Sequence, residues 1–349
     1  MIFQQLFDPA SSTFTYLLAR SVGGEALIID PVFEQVELYL SLLDRLDLKL
    51  AKALDTHVHA DHITALGALR DMTKCVTVMG EKSGADVISM RLKEGDWVEV
   101  GDLRLQTLYT PGHTDDSYSF LMDDRVFTGD TLLIGGTGRT DFQNGDARSA
   151  YDSLINKILK LPDATLVYPA HDYNGNTVST IGHERRHNPR LQVRTAEEYV
   201  VLMAGLNLAN PKMMDMAVPA NRAIGQTLGK FLKPGDEMSA DECKEALAAD
   251  QIKLVDLRSA VERRRDGAIP GSIHVPYEQL ECALAADGQL HRLYTRHPEQ
   301  IVLYCAFGER SAMALDSARQ HDYNGIRHLR GGVAAWLRAK GLVESVKES

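Results

Sequence analysis

The sequence has no run of apolar residues near the roughly 20 that a membrane-spanning helix needs, so no membrane partner is expected. Cysteine is scarce. Cys75, Cys243, Cys282 and Cys305 stand far apart and make no C-x-x-C pair, which argues against a disulfide framework and suits free thiols in a reducing compartment. The first residues, Met1-Ile2-Phe3-Gln4-Gln5-Leu6-Phe7, lack the basic start and small-residue cleavage site of a signal peptide and the Arg- and Ser-rich composition of an organellar leader. The cytoplasm is therefore the expected location. Positive charge is also in short supply: 38 Lys and Arg against 48 Asp and Glu leave a net charge of −10, and no nucleic-acid partner is expected.

What is present is ordinary in bulk and unusual in one place. An apolar fraction of 44% and a charged fraction of 25% over 349 residues are those of a globular chain long enough for two domains. The unusual place is Thr56-His57-Val58-His59-Ala60-Asp61-His62, three imidazoles and a carboxylate in one short stretch. An apolar run, Leu50 to Asp55, precedes it as a buried strand, and Ile63, Leu66, Leu69 and Met72 follow at helical spacing. The cluster thus sits on a strand-to-helix turn, where side chains converge. Neutral imidazole is the commonest metal ligand near neutral pH.

The surrounding elements alternate. Phe14 to Ala19 and Ala26 to Asp30 read as paired strands around Gly23-Gly24, and a helix is expected from Val36 to Leu46. Val76 to Met79 is a short strand; Trp97 to Val100, Leu103 to Tyr109, Tyr118 to Met122 and Arg125 to Phe127 form a meander. A helix over Ala147 to Leu161 and a strand at Thr165 to Tyr168 follow, then a helix from Ala196 to Leu206. Such mixing of strands and helices predicts an α/β sandwich of two sheets with helices outside.

Three more polar residues stand in loops at strand ends, where open sheets build sites: His113 in Thr-Pro-Gly-His-Thr, Asp130 in Thr-Gly-Asp-Thr, and His171 in Tyr-Pro-Ala-His-Asp-Tyr. Residue type alone lets these seven side chains hold two metals, with His57, His59 and His113 at one, Asp61, His62 and His171 at the other, and Asp130 bridging.

The order H-x-H-x-D-H, then His, Asp and His, resembles the metallo-β-lactamase fold of the glyoxalase II type over about residues 1 to 205. Ser12 to Tyr16, Gly138-Arg139-Thr140-Asp141-Phe142-Gln143 and Ala170-His171-Asp172-Tyr173-Asn174 resemble the persulfide dioxygenases within it. That resemblance implies an αββα sandwich and one Fe(II) per chain, held by His57, His113 and Asp130. His59, Asp61, His62 and His171 would then support those ligands from behind. Two imidazoles and one carboxylate leave open positions on an Fe(II) for O2 and a substrate sulfur. The resemblance also implies that Arg139 and Tyr173, with Asn174, face the glutathione moiety. Arg supplies a planar fork for a carboxylate and Tyr an amphipathic wall.

After residue 206 the chain reads as irregular, with Met213 to Met216 between prolines. Asn207 to Asn221 is assigned to the edge of the first domain, and Lys212 and Arg222 are further candidates for the acidic ends of glutathione. The expected division is 1–225, a linker at 226–237, and 238–349.

In the last part, Ser239-Ala240-Asp241-Glu242 is a capping box. Strands at Ile252 to Asp256 and Ile301 to Tyr304 predict a small parallel sheet covered on both faces. The second strand ends at Cys305, and Cys305-Ala306-Phe307-Gly308-Glu309-Arg310-Ser311 leads into a helix beginning near Arg310. Backbone N–H groups and the helix N-terminus there stabilise an anionic sulfur. With Asp256-Leu257-Arg258, Ile269-Pro270-Gly271-Ser272-Ile273 and Gly331-Gly332…Trp336, this part resembles the rhodanese family, a small α/β domain. Cys305 and Arg310 are the expected catalytic pair, and the six-residue loop from Cys305 to Arg310 is shorter than in related phosphatases, which favours sulfur.

Two sulfur-handling parts in one chain point to oxidation of glutathione persulfide by O2 to glutathione and sulfite, coupled to sulfur transfer between thiosulfate and glutathione. A dinuclear zinc hydroxyacylglutathione hydrolase is the alternative, and the sequence leaves homodimer assembly open.

Overall fold

The computed structural model describes residues 1–206, 213–224 and 231–346. The chain divides into two compact units, the first made of residues 1–86 and 90–224. It opens on β1 (Ile2–Asp8), β2 (Thr13–Ala19), β3 (Glu25–Ile29), α1 (Val36–Arg45), β4 (Lys49–Leu54), α2 (Leu66–Thr73), β5 (Val76–Gly80) and β6 (Met90–Leu92). These six strands form one sheet in sequence order. The second sheet comes from β7 (Trp97–Val100), β8 (Leu103–Tyr109), β9 (Tyr118–Leu121) and β10 (Arg125–Gly129), which run as an antiparallel meander. A small ribbon follows, β11 (Leu132–Leu133) and β12 (Gly136–Thr137), then α3 (Ala147–Asp152), β13 (Leu166–Pro169), β14 (Ser179–Thr180), α4 (Ile181–His187), α5 (Ala196–Ala204) and α6 (Met214–Arg222). β13 pairs parallel to β10, giving the order β14-β13-β10-β9-β8-β7.

The two sheets face each other through aromatic side chains. Tyr16 of β2 lies 5.0 Å from Phe127 of β10 and 5.6 Å from Tyr168 of β13, ring centre to ring centre, and Phe3 lies 4.9 Å from Tyr168. Rings of this size supply most of the apolar area between layers. The result is the αββα sandwich of the metallo-β-lactamase fold.

Beyond short elements that the sequence reading passed over, such as β6, β14 and α4, the structure differs from that reading in three places. β1 is a strand the pattern did not reveal: its residues are mostly half-buried, Gln5 among them, so the alternation that marks a strand is blurred. The expected helix over Ala147 to Leu161 is α-helical only to Asp152; it widens into a π turn at Ser153–Lys157 and tightens into a 3-10 turn at Ile158–Lys160. The segment read as irregular is helical over Met214–Arg222 despite Pro219 inside it. Asn207 to Lys212 lie outside the described residues, as do residues 226–230 of the expected linker.

The second unit comprises the described residues from Phe231 onward, with Val87–Ser89. Its elements are β15 (Glu237–Met238), α7 (Ala240–Ala248), β16 (Lys253–Asp256), α8 (Ala260–Asp266), β17 (Ile273–His274), α9 (Leu280–Leu284), α10 (Gln289–Arg296), β18 (Ile301–Tyr304), α11 (Glu309–Gln320), β19 (Arg327–Leu329) and α12 (Gly332–Arg338). The strands form a parallel sheet in the order β15-β19-β18-β16-β17. Both faces are covered: Val255 and Leu303 join one apolar cluster while their neighbours Leu254, Val302 and Tyr304 join the other, as the period-2 alternation of strand side chains dictates. Ser239 closes the capping box with Glu242.

Candidate metal centre and candidate sulfur site

The turn from β4 to α2 carries the His cluster, and side chains from elsewhere hold its backbone. Asp30, in a left-handed conformation at the end of β3 (φ 50°), accepts from the Thr56 N–H at 2.7 Å and from Thr56 Oγ1 at 3.1 Å. Asp116 accepts from the Val58 N–H at 2.9 Å. Asn221 of α6 donates to the carbonyls of His59 and His62 at 3.0 and 2.9 Å and accepts from the Thr64 N–H at 2.9 Å. With its polar backbone groups satisfied this way, an irregular segment can stay buried.

His57 on this turn, His113 after β8 and Asp130 after β10 converge, each offering an atom within 4.8 Å of the other two. The rings are oriented by what their Nδ1 atoms do. His113 Nδ1 lies 2.8 Å from the Arg139 carbonyl oxygen, which can only accept, so Nδ1 carries the proton and Nε2 is left with its lone pair. That Nε2 is 3.5 Å from Asp130 Oδ2. His57 Nδ1 is 3.0 Å from Thr56 Oγ1. Burial, then the neighbouring His59 and His113, push His57 well below the ordinary imidazole range. Burial works to raise Asp130, but His171, His113 and His57 hold it below the ordinary carboxylate range. A neutral ring beside an ionised carboxylate is the protonation state that a cation requires.

The remaining four residues lie behind and beside this triad. His171 bridges two carboxylates, with Nδ1 2.7 Å from Asp130 Oδ1 and Nε2 2.8 Å from Asp61 Oδ2. Although burial opposes its charge, those two carboxylates raise it well above its ordinary value. Thr13 Oγ1 of β2 joins them, 3.1 Å from Asp61, 3.1 Å from His171 and 3.3 Å from His62 Nδ1. His59 turns Nε2 to Asp30 at 3.1 Å, and its buried Nδ1 has no hydrogen-bond partner; His62 Nε2 is likewise unpartnered. His59, Asp61 and His62 form a second group whose donor atoms lie within 4.8 Å of one another.

A cavity of about 260 Å³ opens over the triad, and its walls include Arg139, Phe142, Tyr173, Asn174 and Arg190. Arg139, expected to face substrate, is held by Asp141 through bonds of 2.6 and 2.7 Å, with its guanidinium 4.9 Å above the Phe142 ring centre. Arg190 is the cation that sequence reasoning missed. It is half-buried, donates to the Thr137 carbonyl, and burial pushes it below the ordinary guanidinium range. Arg222, also a candidate, is exposed on α6 and does not line this cavity, while Lys212 lies outside the described residues.

In the second unit the Gly308 N–H donates to Cys305 Sγ at 3.2 Å, and Ser311 Oγ lies 3.7 Å from the same sulfur. The N-terminus of α12 closes over the loop, the Val333 N–H reaching the Cys305 carbonyl at 2.8 Å. Gly332 permits this approach, since a Cβ there would lie 2.4 Å from the Cys305 carbonyl oxygen. Arg310, the other expected catalytic residue, lies in the field of Cys305 and is held by a carboxylate. Its guanidinium is buried and spends Nη1 and Nη2 on Glu262 at 2.8 and 2.6 Å. The fork matches a carboxylate, and both chains are enclosed, so the pair locks the loop to α8 while the guanidinium charge still acts on the Cys305 sulfur.

The missed residues had uneven signals. Glu262 is marked by the capping box Ser259-x-x-Glu262. Asn221, Arg190 and His328 carry no motif; only their distant partners give them a role.

Two known families match different parts of the chain. The metallo-beta-lactamase superfamily matches residues 8–88 and 84–171, and the rhodanese-like domain matches residues 239–339. The human mitochondrial persulfide dioxygenase ETHE1 is 46% identical over 228 residues, covering 64% of this chain and 89% of the relative. The crystal structure of ETHE1 from Myxococcus xanthus is 55% identical and superimposes with a TM-score of 0.63 over 65% of this chain and all of the other. A metallo-beta-lactamase from Staphylococcus aureus, 22% identical, shares the fold over 95% of this chain and 99% of its own, with a TM-score of 0.60. Among the described residues no helix is long and apolar enough to cross a membrane.

Proposed function

The chain belongs to the persulfide dioxygenase family of the metallo-β-lactamase superfamily, and from that premise we propose that it converts glutathione persulfide, O2 and water to glutathione and sulfite at one Fe(II) per chain. Its rhodanese domain moves sulfur between thiosulfate and glutathione through a persulfide on Cys305. The observation that carries the first activity is the convergence of His57, His113 and Asp130 beneath an open cavity.

The donor set fits the metal: two imidazole nitrogens and one carboxylate oxygen on one side leave positions free on the other. Fe(II) held there would supply a redox-active centre with open positions for O2 and a substrate sulfur, the sulfur itself giving the four electrons that O2 takes up. The chain's own side chains do the rest. His171 holds Asp130 Oδ1 and so turns Oδ2 toward His113. The Arg139 carbonyl fixes the His113 tautomer. Arg190 and Arg139 offer guanidinium groups to the two carboxylates of glutathione, and Tyr173 and Asn174 flank the same opening.

At the second site the Cys305 thiolate attacks the outer sulfur of thiosulfate. The S–S bond breaks with its electron pair leaving on sulfite, and the new Cys305 persulfide passes its outer sulfur to glutathione thiolate.

A second reading, a dinuclear zinc hydroxyacylglutathione hydrolase, is favoured by the unpartnered buried nitrogens of His59 and His62. Metal content measured together with O2 uptake on glutathione persulfide separates the two. One iron per chain with O2 consumed in step with persulfide is expected. Two zinc per chain, no uptake and cleavage of an acyl-glutathione would replace the dioxygenase with the hydrolase.

A further inference from the structure

Cys305 is fully buried, yet its sulfur must lose a proton before it can attack. We propose that Ser311 and His328 are positioning residues for Cys305: the ring holds the Ser311 hydroxyl so that it donates to the sulfur once the thiol proton has gone. The inference rests on the sulfurtransferase reading of Cys305 and goes beyond it in assigning the groups that set the state of the sulfur.

The groups lie in a row across adjacent strands. Cys305 follows β18, His328 is on β19 and Glu237 is on β15, and these three strands are neighbours in the sheet. Sγ is 3.7 Å from Ser311 Oγ, that oxygen is 3.2 Å from His328 Nδ1, and His328 Nε2 is 3.7 Å from Glu237 Oε1, whose side chain is 40% exposed. His328 itself is 2% exposed, and its Nε2 has no hydrogen-bond partner. An unpartnered ring nitrogen buried beside a half-exposed carboxylate costs stability and adds nothing to packing. It is accounted for if the ring exchanges protons.

The row has two hydrogen-bond arrangements. With the thiol protonated, S–H points to Ser311 Oγ, the Ser311 hydroxyl to Nδ1, and the Nε2–H to Glu237. With the thiolate, the first two bonds reverse, the Ser311 O–H pointing to sulfur and the Nδ1–H to Ser311, while the Nε2 proton leaves past Glu237 to water. One S–H bond breaks and one proton reaches solvent, so charge balances and the ring stays neutral before and after. Burial pushes His328 down to about 4, which keeps the ring from trapping the proton. The Ser311 hydroxyl can also donate to the Gly308 carbonyl oxygen at 3.1 Å, and an Nδ1–H donated to Ser311 Oγ is what would turn the hydroxyl from that acceptor to the thiolate.

The other charged groups nearby are already paired. Arg310 is bound to Glu262 and its charge also acts on the Cys305 sulfur, a background field that Ser311 and His328 add to, and Asp236 is bound to Arg319.

The test uses the full chain. The rate of iodoacetamide alkylation of Cys305, followed by peptide mass spectrometry against pH, reads the sulfur's ionisation, and kcat/KM for thiosulfate reads its reactivity. Ser311→Ala and His328→Leu should move the alkylation midpoint up by about one pH unit, the scale of one hydrogen bond to an anion. They should lower kcat/KM about tenfold at pH 7 and converge with the wild type at alkaline pH. His328→Asn, which keeps an N–H where Nδ1 stands, should recover most of the loss. Ser311→Ala removes a single oxygen and carries the test if His328→Leu does not fold. An unmoved midpoint in Ser311→Ala, or His328→Asn as impaired as His328→Leu, overturns the proposal. A wild-type chain with no thiosulfate sulfurtransfer at any pH overturns the sulfurtransferase reading beneath it.

Discussion

His113 Nδ1 lies 2.8 Å from the carbonyl oxygen of Arg139, so a ring of the metal triad is held by the backbone of the residue whose side chain lines the substrate cavity. Gly138, next to it, has no room for a side chain: a Cβ there would lie 2.1 Å from the Asp130 carbonyl oxygen and 2.8 Å from His113 Nδ1. Gly138→Ala should therefore displace either the ring or the Asp130 loop. The expected result is loss of most bound iron and at least a tenfold fall in O2 uptake, checked by elemental analysis and an oxygen electrode on the same preparation.

Arg190 brings a half-buried cation to the cavity, and Arg139 is already engaged by Asp141. A guanidinium–carboxylate bond to substrate is worth about 1.5–3 kcal/mol. Arg190→Ala should raise KM for glutathione persulfide roughly 10- to 100-fold, with kcat changed much less and iron content unchanged. Steady-state O2 uptake against persulfide concentration would expose the reverse pattern, a fall in kcat alone, which would move Arg190 from binding to chemistry.

Cys305→Ser should abolish sulfur transfer from thiosulfate while leaving O2 uptake on added glutathione persulfide largely intact, because the triad and the thiol belong to different units. Parallel assays of both reactions check this, and loss of both would mean that the two sites are obligatorily coupled.

Glu262 and Arg310 form a buried pair, and removing one partner of such a pair costs about 3–5 kcal/mol because the other charge stays enclosed. Glu262→Gln should lower the stability of the second unit by that order, measured by denaturant unfolding of the full chain. Burial works to raise the Glu262 carboxyl, but Arg310 holds it down at about 2, below its ordinary 4.5. The sign follows: this stabilisation is complete above about pH 4.5 and is lost as pH falls toward 2. The wild type should lose it over that window and Glu262→Gln should not.

Much of this protein could be read directly from its residues. The His cluster is visible by its density after an apolar strand, and His113, Asp130 and His171 because each follows a strand and is flanked by the Gly or Pro of a tight turn, and strand ends are where such chemistry is displayed. Local propensity likewise marks the capping box at Ser239 and the strand into Cys305. β1 escaped because its half-buried pattern has no clean period, and α6 because Pro219 argues against the helix that it sits in.

By itself the sequence determined which side chains were available for metal and sulfur chemistry, and in what order along the chain. Partnership was decided only by the fold. Asn221 reaches the His loop from more than 150 residues away, Arg310 is clamped by Glu262 from α8, and His328 stands beside Ser311 because β19 pairs with β18. A hydrogen bond depends on distance and direction to within a few tenths of an ångström. Spacing along a chain fixes neither once the partners lie on different elements.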